Sequence, residues 1–238
     1  MIVKGGKLYY DLPIGILCLE SQFPKLRGHL RNPISFSFPT VTRVVEGVDI
    51  PCLLFNPTLD LVEPFIKVAK QLEEDGVQAI SGSCGFMARF QGIIASELKI
   101  PVILSSLVQI PMIRIMHGKN AKIGVLTASS NALTVDHFDN CGTCMDDVII
   151  HGMEHNTEFR ETILEGKRNY FDIDALRGEI VGTAKNFVNK KQLDALVLEC
   201  TDLSVFSHDI QKKIEKPIYD INSLIEFTYS VVCRKQYS

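Results

Sequence analysis

Two cysteines occupy matching corners of the chain. In "AISGSCGFMARFQ" (79–91) and in "LDALVLECTDL" (193–203) an apolar run that reads as a buried strand ends on a cysteine, and a helical stretch follows. A helix N-terminus carries partial positive charge and free N–H groups, so a thiol placed there is more acidic and a carboxylate is bound beside it. Around Cys84, the small residues Ser81, Gly82, Ser83 and Gly85 keep the approach open, and Gly85 offers its N–H to an anion; around Cys200, Thr201 offers both N–H and hydroxyl. Two thiols on opposite sides of one carbon can take a proton from one face and return one to the other. That chemistry calls for neither a metal nor pyridoxal phosphate, and the expected cofactor is none.

The two corners belong to a longer repeat. At an offset of 116, Ala79 falls on Ala195, Cys84 on Cys200, Phe90 on Phe206, Ile94 on Ile210 and Pro101 on Pro217; "IGIL" (14–17) returns as "IGVL" (123–126) at an offset of 109. Strands are expected at 13–18, 34–38, 50–55, 77–81, 101–105, 121–127, 147–151, 194–199 and 217–220. Helices are expected at 59–75, 85–98, 107–118, 130–139, 173–190, 203–214 and 222–234. The alternation gives an α/β fold with mostly parallel sheets. The expected organisation is a first half at 1–118 and a second at 119–238, with the C-terminal helix packing back on the first. Ligands of such sheets bind beyond the carboxyl ends of strands. If the halves face each other about a pseudo-twofold axis, both cysteines enter one cleft.

Composition narrows the partner. The 238 residues are 46% hydrophobic and 22% charged with a net charge of -3, which gives no basic footprint for nucleic acid or an anionic membrane and points to a small molecule instead. The longest apolar stretch, 100–116, is broken by Ser105, Ser106, Gln109, Pro111 and Arg114, so no membrane span or export signal is expected. Seven scattered cysteines fit reduced thiols and a cytoplasmic location better than a disulfide framework.

The motifs "GSCG" and "LECT", together with "PIGILCLESQFPKLRGHLRNP", "FSFPT", "PVILSSLVQIP", "IGVLTASS" and "HGME", resemble the aspartate/glutamate racemase superfamily, which also contains hydantoin racemases, maleate isomerases and arylmalonate decarboxylases. The resemblance implies two αβα halves, an active site between them and a homodimer or higher homo-oligomer. It carries the two catalytic thiols onto Cys84 and Cys200, and a substrate-carboxylate contact onto Thr201. It also makes the loop after the first strand close over the substrate, with Arg31 and Asn32 as carboxylate contacts. The chain departs from the amino-acid racemases where Gly85 and Phe86 stand for Asn and Thr, and where Asp202 stands for the His of glutamate racemases.

The remaining features are assigned by position. Ser83, Gly85 and Ser129, at the ends of strands, are expected to bind substrate. Glu199 should point away from Cys200 on an extended strand and support the site rather than act as its base. The CxxC at 141–144 follows a helix rather than opening one, and has no second CxxC to complete a zinc site. No GxGxxG or Walker pattern follows a strand. The expectation is a cofactor-independent racemase or epimerase of a small carboxylate-bearing compound, by two-base proton transfer between Cys84 and Cys200. The alternatives are a cysteine-dependent isomerase or decarboxylase of a dicarboxylate, and a non-catalytic small-molecule-binding protein.

Overall fold

The computed structural model describes residues 2, 4–6, 9–55 and 58–236. "IGILCLE" forms β1 (Ile14–Glu20), buried along all but its last residue, as a strand covered on both faces must be. β2 (Thr40–Asp49), α1 (Ile50–Phe55), α2 (Val62–Asp75), β3 (Ala79–Gly82), α3 (Gln91–Glu97), β4 (Val102–Ile103) and α4 (Ile110–His117) follow it. The second series runs β5 (Ile123–Thr127), α5 (Val135–Asp139), β6 (Val148–Gly152), α6 (Thr157–Phe159, continuing as a π-helical turn Arg160–Leu164), α7 (Ile173–Lys191), β7 (Ala195–Leu198), α8 (Ser207–Ile214), β8 (Ile218–Tyr219) and α9 (Ile221–Val232).

The strands form two parallel four-stranded sheets with the same order, β2-β1-β3-β4 and β6-β5-β7-β8. Registers correspond as well: Ile14 pairs with Ala79, and Ile123 with Ala195. The repeat seen in the sequence is therefore a repeat of fold, two αβα layers each winding about a central buried strand. α2 covers the first sheet with Phe65, Ile66, Ala69 and Leu72, and stops at Gly76, whose φ of 107° is the left-handed cap that glycine adopts without a steric penalty. α9 crosses back, packing Ile221, Leu224 and Ile225 against Ile14, Ile16 and Ala79 of the first half. Among the described residues no helix is long and apolar enough to cross a membrane.

Two expected strands are something else. The run 34–38 is irregular: Phe36 and Phe38 stack at 5.2 Å, and Phe38 lies 3.8 Å from the ring of Tyr229, so this alternation serves the packing of a loop on α9. The run 50–55 is α1, because the Asp49 carboxylate caps it by accepting from Cys52 N at 2.8 Å and Pro51 sits in the first turn, where no N–H is needed. β2 and α6 were not expected; β2 is a mostly exposed edge strand whose polar outer residues hide its period. The helices expected from 85, 107 and 203 open as 3-10 turns at Gly85–Phe90, Ser106–Gln109 and Thr201–Phe206, and the one expected over 130–139 is only α5.

Candidate active site

β3 and β7 deliver the two cysteines to the same place. At the end of each strand one more backbone bond continues the ladder, Ser83 N to Leu17 O and Glu199 N to Leu126 O, both at 2.8 Å. The chain then turns tightly: Met87 N donates to Cys84 O at 3.0 Å and Leu203 N to Cys200 O at 3.1 Å, opening the paired 3-10 turns. Each thiol consequently accepts from the backbone N–H two residues on, Cys84 from Phe86 and Cys200 from Asp202. The corners are fastened across the halves, with Thr201 Oγ1 donating to Ser83 O at 2.6 Å and Ser106 Oγ to Leu198 O at 2.6 Å.

Both cysteines line one small cavity of about 20 Å³, room for little more than a water molecule. Its polar wall is Ser83, Gly85, Thr201 and Asp202; its apolar wall is Ile50, Leu54, Phe86, Ala128, Ile163 and Leu164. Outside lies an open depression of about 690 Å³ between residues 20–23 and 49–51 of the first half and Ile163 and residues 165–170 of the second. Ile50 and Ile163 line both spaces and so form the partition between them.

Burial pushes both thiols up: Cys84 by desolvation and then by the charge of Glu199, Cys200 by desolvation and then by Asp202 and Glu199. Cys84 is half-buried, whereas Cys200 is buried and directs its thiol at Asp202 Oδ2, 3.8 Å away. Burial would raise Asp202, but the hydrogen bond from His29 and the charge of Lys25 outweigh it and hold the carboxyl below its ordinary range. His29 Nδ1 accepts from Arg31 N at 3.0 Å, so the ring proton is on Nε2, which donates to Asp202 Oδ1 at 3.1 Å. Burial lowers His29 and keeps it neutral. Lys25 lies with Nζ 3.0 Å from the Phe23 ring centroid, lowered to about 8 by burial, and its charge acts on Asp202, Cys18 and Cys200. Glu199 is fully buried and raised to about 7 by desolvation, against the bonds from Thr127 and Ala128 N.

Ser83, Cys84, Gly85, Cys200 and Thr201 thus come together. Arg31 and Asn32 are engaged elsewhere: Arg31 Nη1 donates to Leu19 O and Ser21 Oγ, and Asn32 Nδ2 to Lys25 O, pinning their own loop. Ser129 is buried but is not among the cavity-lining residues. Lys25, and the pairing of His29 with Asp202, were not among the expected features of the site. A cation and an imidazole within nine residues of the end of the first strand were the available signal.

No family model matches the chain. It superposes on glutamate racemase from Francisella tularensis in complex with D-glutamate (TM-score 0.53, 17% identity, 95% of this chain and 85% of that one). It also superposes on allantoin racemase from Klebsiella pneumoniae (0.61, 11%, 92% and 87%) and on unliganded arylmalonate decarboxylase (0.57, 9%, 94% and 94%). The chain has the fold of the aspartate/glutamate racemase superfamily.

By sequence it is similar to proteins of a different name. It is 29% identical over 218 residues to dimethylsulfoniopropionate lyase 3 of Emiliania huxleyi, covering 87% of this chain and 56% of that protein. It is 27% identical over 215 residues to the dimethylsulfoniopropionate lyase of Durusdinium sp. clade D, covering 87% and 70%. The chain thus spans about half the length of the first relative. These relatives overturn the expected racemase or epimerase: the proteins similar to this chain by sequence are named as lyases. The racemases and lyases are all enzymes by name, so the expectation that fails is the class of reaction.

Proposed function

We propose that this chain is a cysteine-dependent lyase that eliminates a dialkyl sulfide from a β-sulfonio carboxylate such as dimethylsulfoniopropionate. The observation that carries this is the likeness to dimethylsulfoniopropionate lyases over 87% of the chain. Any stretch of that length contains both Cys84 and Cys200, which the fold joins at one cavity. Cys84, as thiolate, removes the proton α to the carboxylate. The C–H electron pair becomes the Cα–Cβ double bond, and the Cβ–S pair stays on sulfur, which leaves as a neutral sulfide. The products are an unsaturated carboxylate and a protonated Cys84.

Cys200, its proton directed at the ionised Asp202, remains a thiol on the opposite wall. Asp202 also supplies a counter-charge for the cationic sulfur, while the charge of Lys25 and the N–H of Phe86 favour the thiolate. A cavity of about 20 Å³ is smaller than such a substrate, so admission requires Ile50 and Ile163 to part toward the outer depression. The free cysteines support a reducing, cytoplasmic setting, and the exposed Ile115 and Met116 of α4 support a homo-oligomer.

The protein incubated with dimethylsulfoniopropionate should release dimethyl sulfide, read by headspace gas chromatography, and equimolar acrylate, read by NMR. Cys84→Ser should lower the rate by about 100-fold or more. Absence of both products from active-fold protein refutes the reading.

A further inference from the structure

Asp202 is a buried carboxylate held by an unusual partner. Its side chain is 11% exposed and lines the cavity beside Cys84 and Cys200. Oδ1 accepts from His29 Nε2 at 3.1 Å, and Oδ2 faces the Cys200 thiol, a weak donor, at 3.8 Å. Among the described residues no lysine or arginine nitrogen comes within 4.0 Å of either oxygen. Arg31 Nη1 is engaged by Leu19 O and Ser21 Oγ, and Lys25 lies over the Phe23 ring. A buried carboxylate is ordinarily matched by a contacting cation, which cancels its charge. Here the contacting group is an imidazole.

That imidazole is built to stay neutral. His29 is buried, and Nδ1, the nitrogen that a second proton would occupy, accepts from Arg31 N at 3.0 Å. Burial and the charges of Lys25 and Arg31 all disfavour the imidazolium. The ring is also fixed in place. His29 N donates to Leu26 O at 2.9 Å, while Asn32 N and Ser35 Oγ donate to His29 O at 2.9 and 2.7 Å. From α9, Asn222 Nδ2 donates to Gly28 O at 2.6 Å and ties this loop of the first half to the second. A neutral donor orients a carboxylate without cancelling it, so the negative charge remains for whatever enters the cavity.

We propose that His29 is a positioning residue: by holding Asp202 at Oδ1 it keeps Oδ2 turned toward Cys200 and the cavity, as a subsite that selects a cationic onium group over a neutral one. The proposal rests on the reading of the substrate as a β-sulfonio carboxylate, and names the residue that keeps the counter-charge of its sulfur in place. His29 does not line the cavity, so it acts through Asp202. The groups facing Asp202 are His29, Lys25 and Arg31 from the loop after β1, Cys84 from the β3 corner and Cys200 on its own turn, with Glu199 acting on both thiols. The His29 bond favours the ionised carboxyl; without it Asp202 moves up, and the subsite loses its charge as the pH falls.

The test is binding, by calorimetry at pH 5 and pH 7, of two probes that differ in one charge: β-trimethylammoniopropionate and its neutral isostere, in which a tert-butyl group replaces the trimethylammonio group. The wild type should prefer the cationic probe by about tenfold or more at both pH values. Asp202→Asn should abolish the preference at both. His29→Leu should lower it relative to wild type, most at pH 5, by about tenfold. His29→Gln, whose amide N–H reaches the same oxygen, should keep it within about threefold of wild type. Glu199, at about 7, and Lys25, at about 8, titrate in every one of these proteins and drop out of the comparison. A role in packing alone would weaken both probes together and leave their ratio unmoved. A wild type that binds the probes equally, or binds neither at millimolar concentration, overturns the proposal, as does a His29→Leu ratio within about threefold of wild type at both pH values. If His29→Leu does not fold, His29→Asn, whose shorter amide does not reach Asp202, is held to the same outcomes. A wild type that prefers the cationic probe yet releases no dimethyl sulfide from dimethylsulfoniopropionate refutes the elimination and supports the subsite.

Discussion

Glu199 is fully buried and its Oε1 has no hydrogen-bond partner, so Glu199→Gln has a consequence that needs no substrate. Burial raises the Glu199 carboxyl from 4.5 to about 7. Below pH 4.5 the folded and unfolded chains both hold the proton, and the group costs nothing. Between 4.5 and 7 the unfolded chain releases it while the folded chain keeps it, so stability falls with rising pH; above 7 both are ionised and the full loss remains. At about 1.4 kcal/mol per unit, the rise amounts to roughly 3 kcal/mol. Glutamine does not titrate and escapes that loss. Urea unfolding of wild type and variant at pH 4.5 and pH 8 should therefore show the stability of Glu199→Gln gaining on wild type by roughly 3 kcal/mol between the two conditions. In melting temperature that is on the order of 6–12 °C for a chain of this size. Asp202 and His29 titrate equally in both proteins and cancel in the difference. Stability curves that stay parallel across this range would refute the buried, partly unbonded carboxyl from which the argument starts.

Gly85→Ala drives a Cβ to 2.1 Å from the carbonyl oxygen of Glu199, a backbone atom that cannot swing aside. The melting temperature should fall by roughly 2–12 °C, from about 1–3 kcal/mol of overpacking, read by differential scanning calorimetry. Thr201→Val removes the 2.6 Å bond to Ser83 O that ties the two corners. It should cost about 1–3 kcal/mol in urea unfolding, with the far-ultraviolet dichroism unchanged.

The cysteine corners were legible because a repeated strand-to-turn boundary is a local pattern, and an offset of 116 holds from Ala79 on Ala195 to Val102 on Ile218. What surrounds them was not legible in the same way. His29, Lys25 and Arg31 lie in an irregular loop with no period to place them, and only the closed chain shows that His29 meets Asp202 rather than a ligand. Arg31 and Asn32 look like anion contacts by type, yet Arg31 Nη1 donates to Leu19 O and Ser21 Oγ and Asn32 Nδ2 to Lys25 O. α1 was hidden because "IPCLLF" reads as a strand until Asp49 is seen as its cap. Glu199 was placed as a supporting residue on an extended strand; that it fills the gap left by Gly85 depends on a contact between the halves 114 positions apart.

The asymmetry of the site also gives a physical account of why the expectation of a racemase fails. Inverting a carbon by two thiols requires that either one act as base and the other as acid, so their surroundings should be interchangeable. Here they are not. Both line the cavity, but Cys200 has its proton directed at an ionised Asp202 that His29 and Lys25 keep charged, whereas Cys84 is followed by Gly85, against which the Glu199 carboxyl packs. On the lyase reading, such a pair keeps Cys200 protonated and leaves Cys84 as the base. An elimination needs only that: a single base for the α-proton, with a sulfonium leaving group to take the electrons that a racemase must hold until a second proton arrives. The two reactions share their first step, and the departure of the two halves from symmetry at Ser83 and Glu199, and at Gly85 and Thr201, favours the one with no second proton transfer.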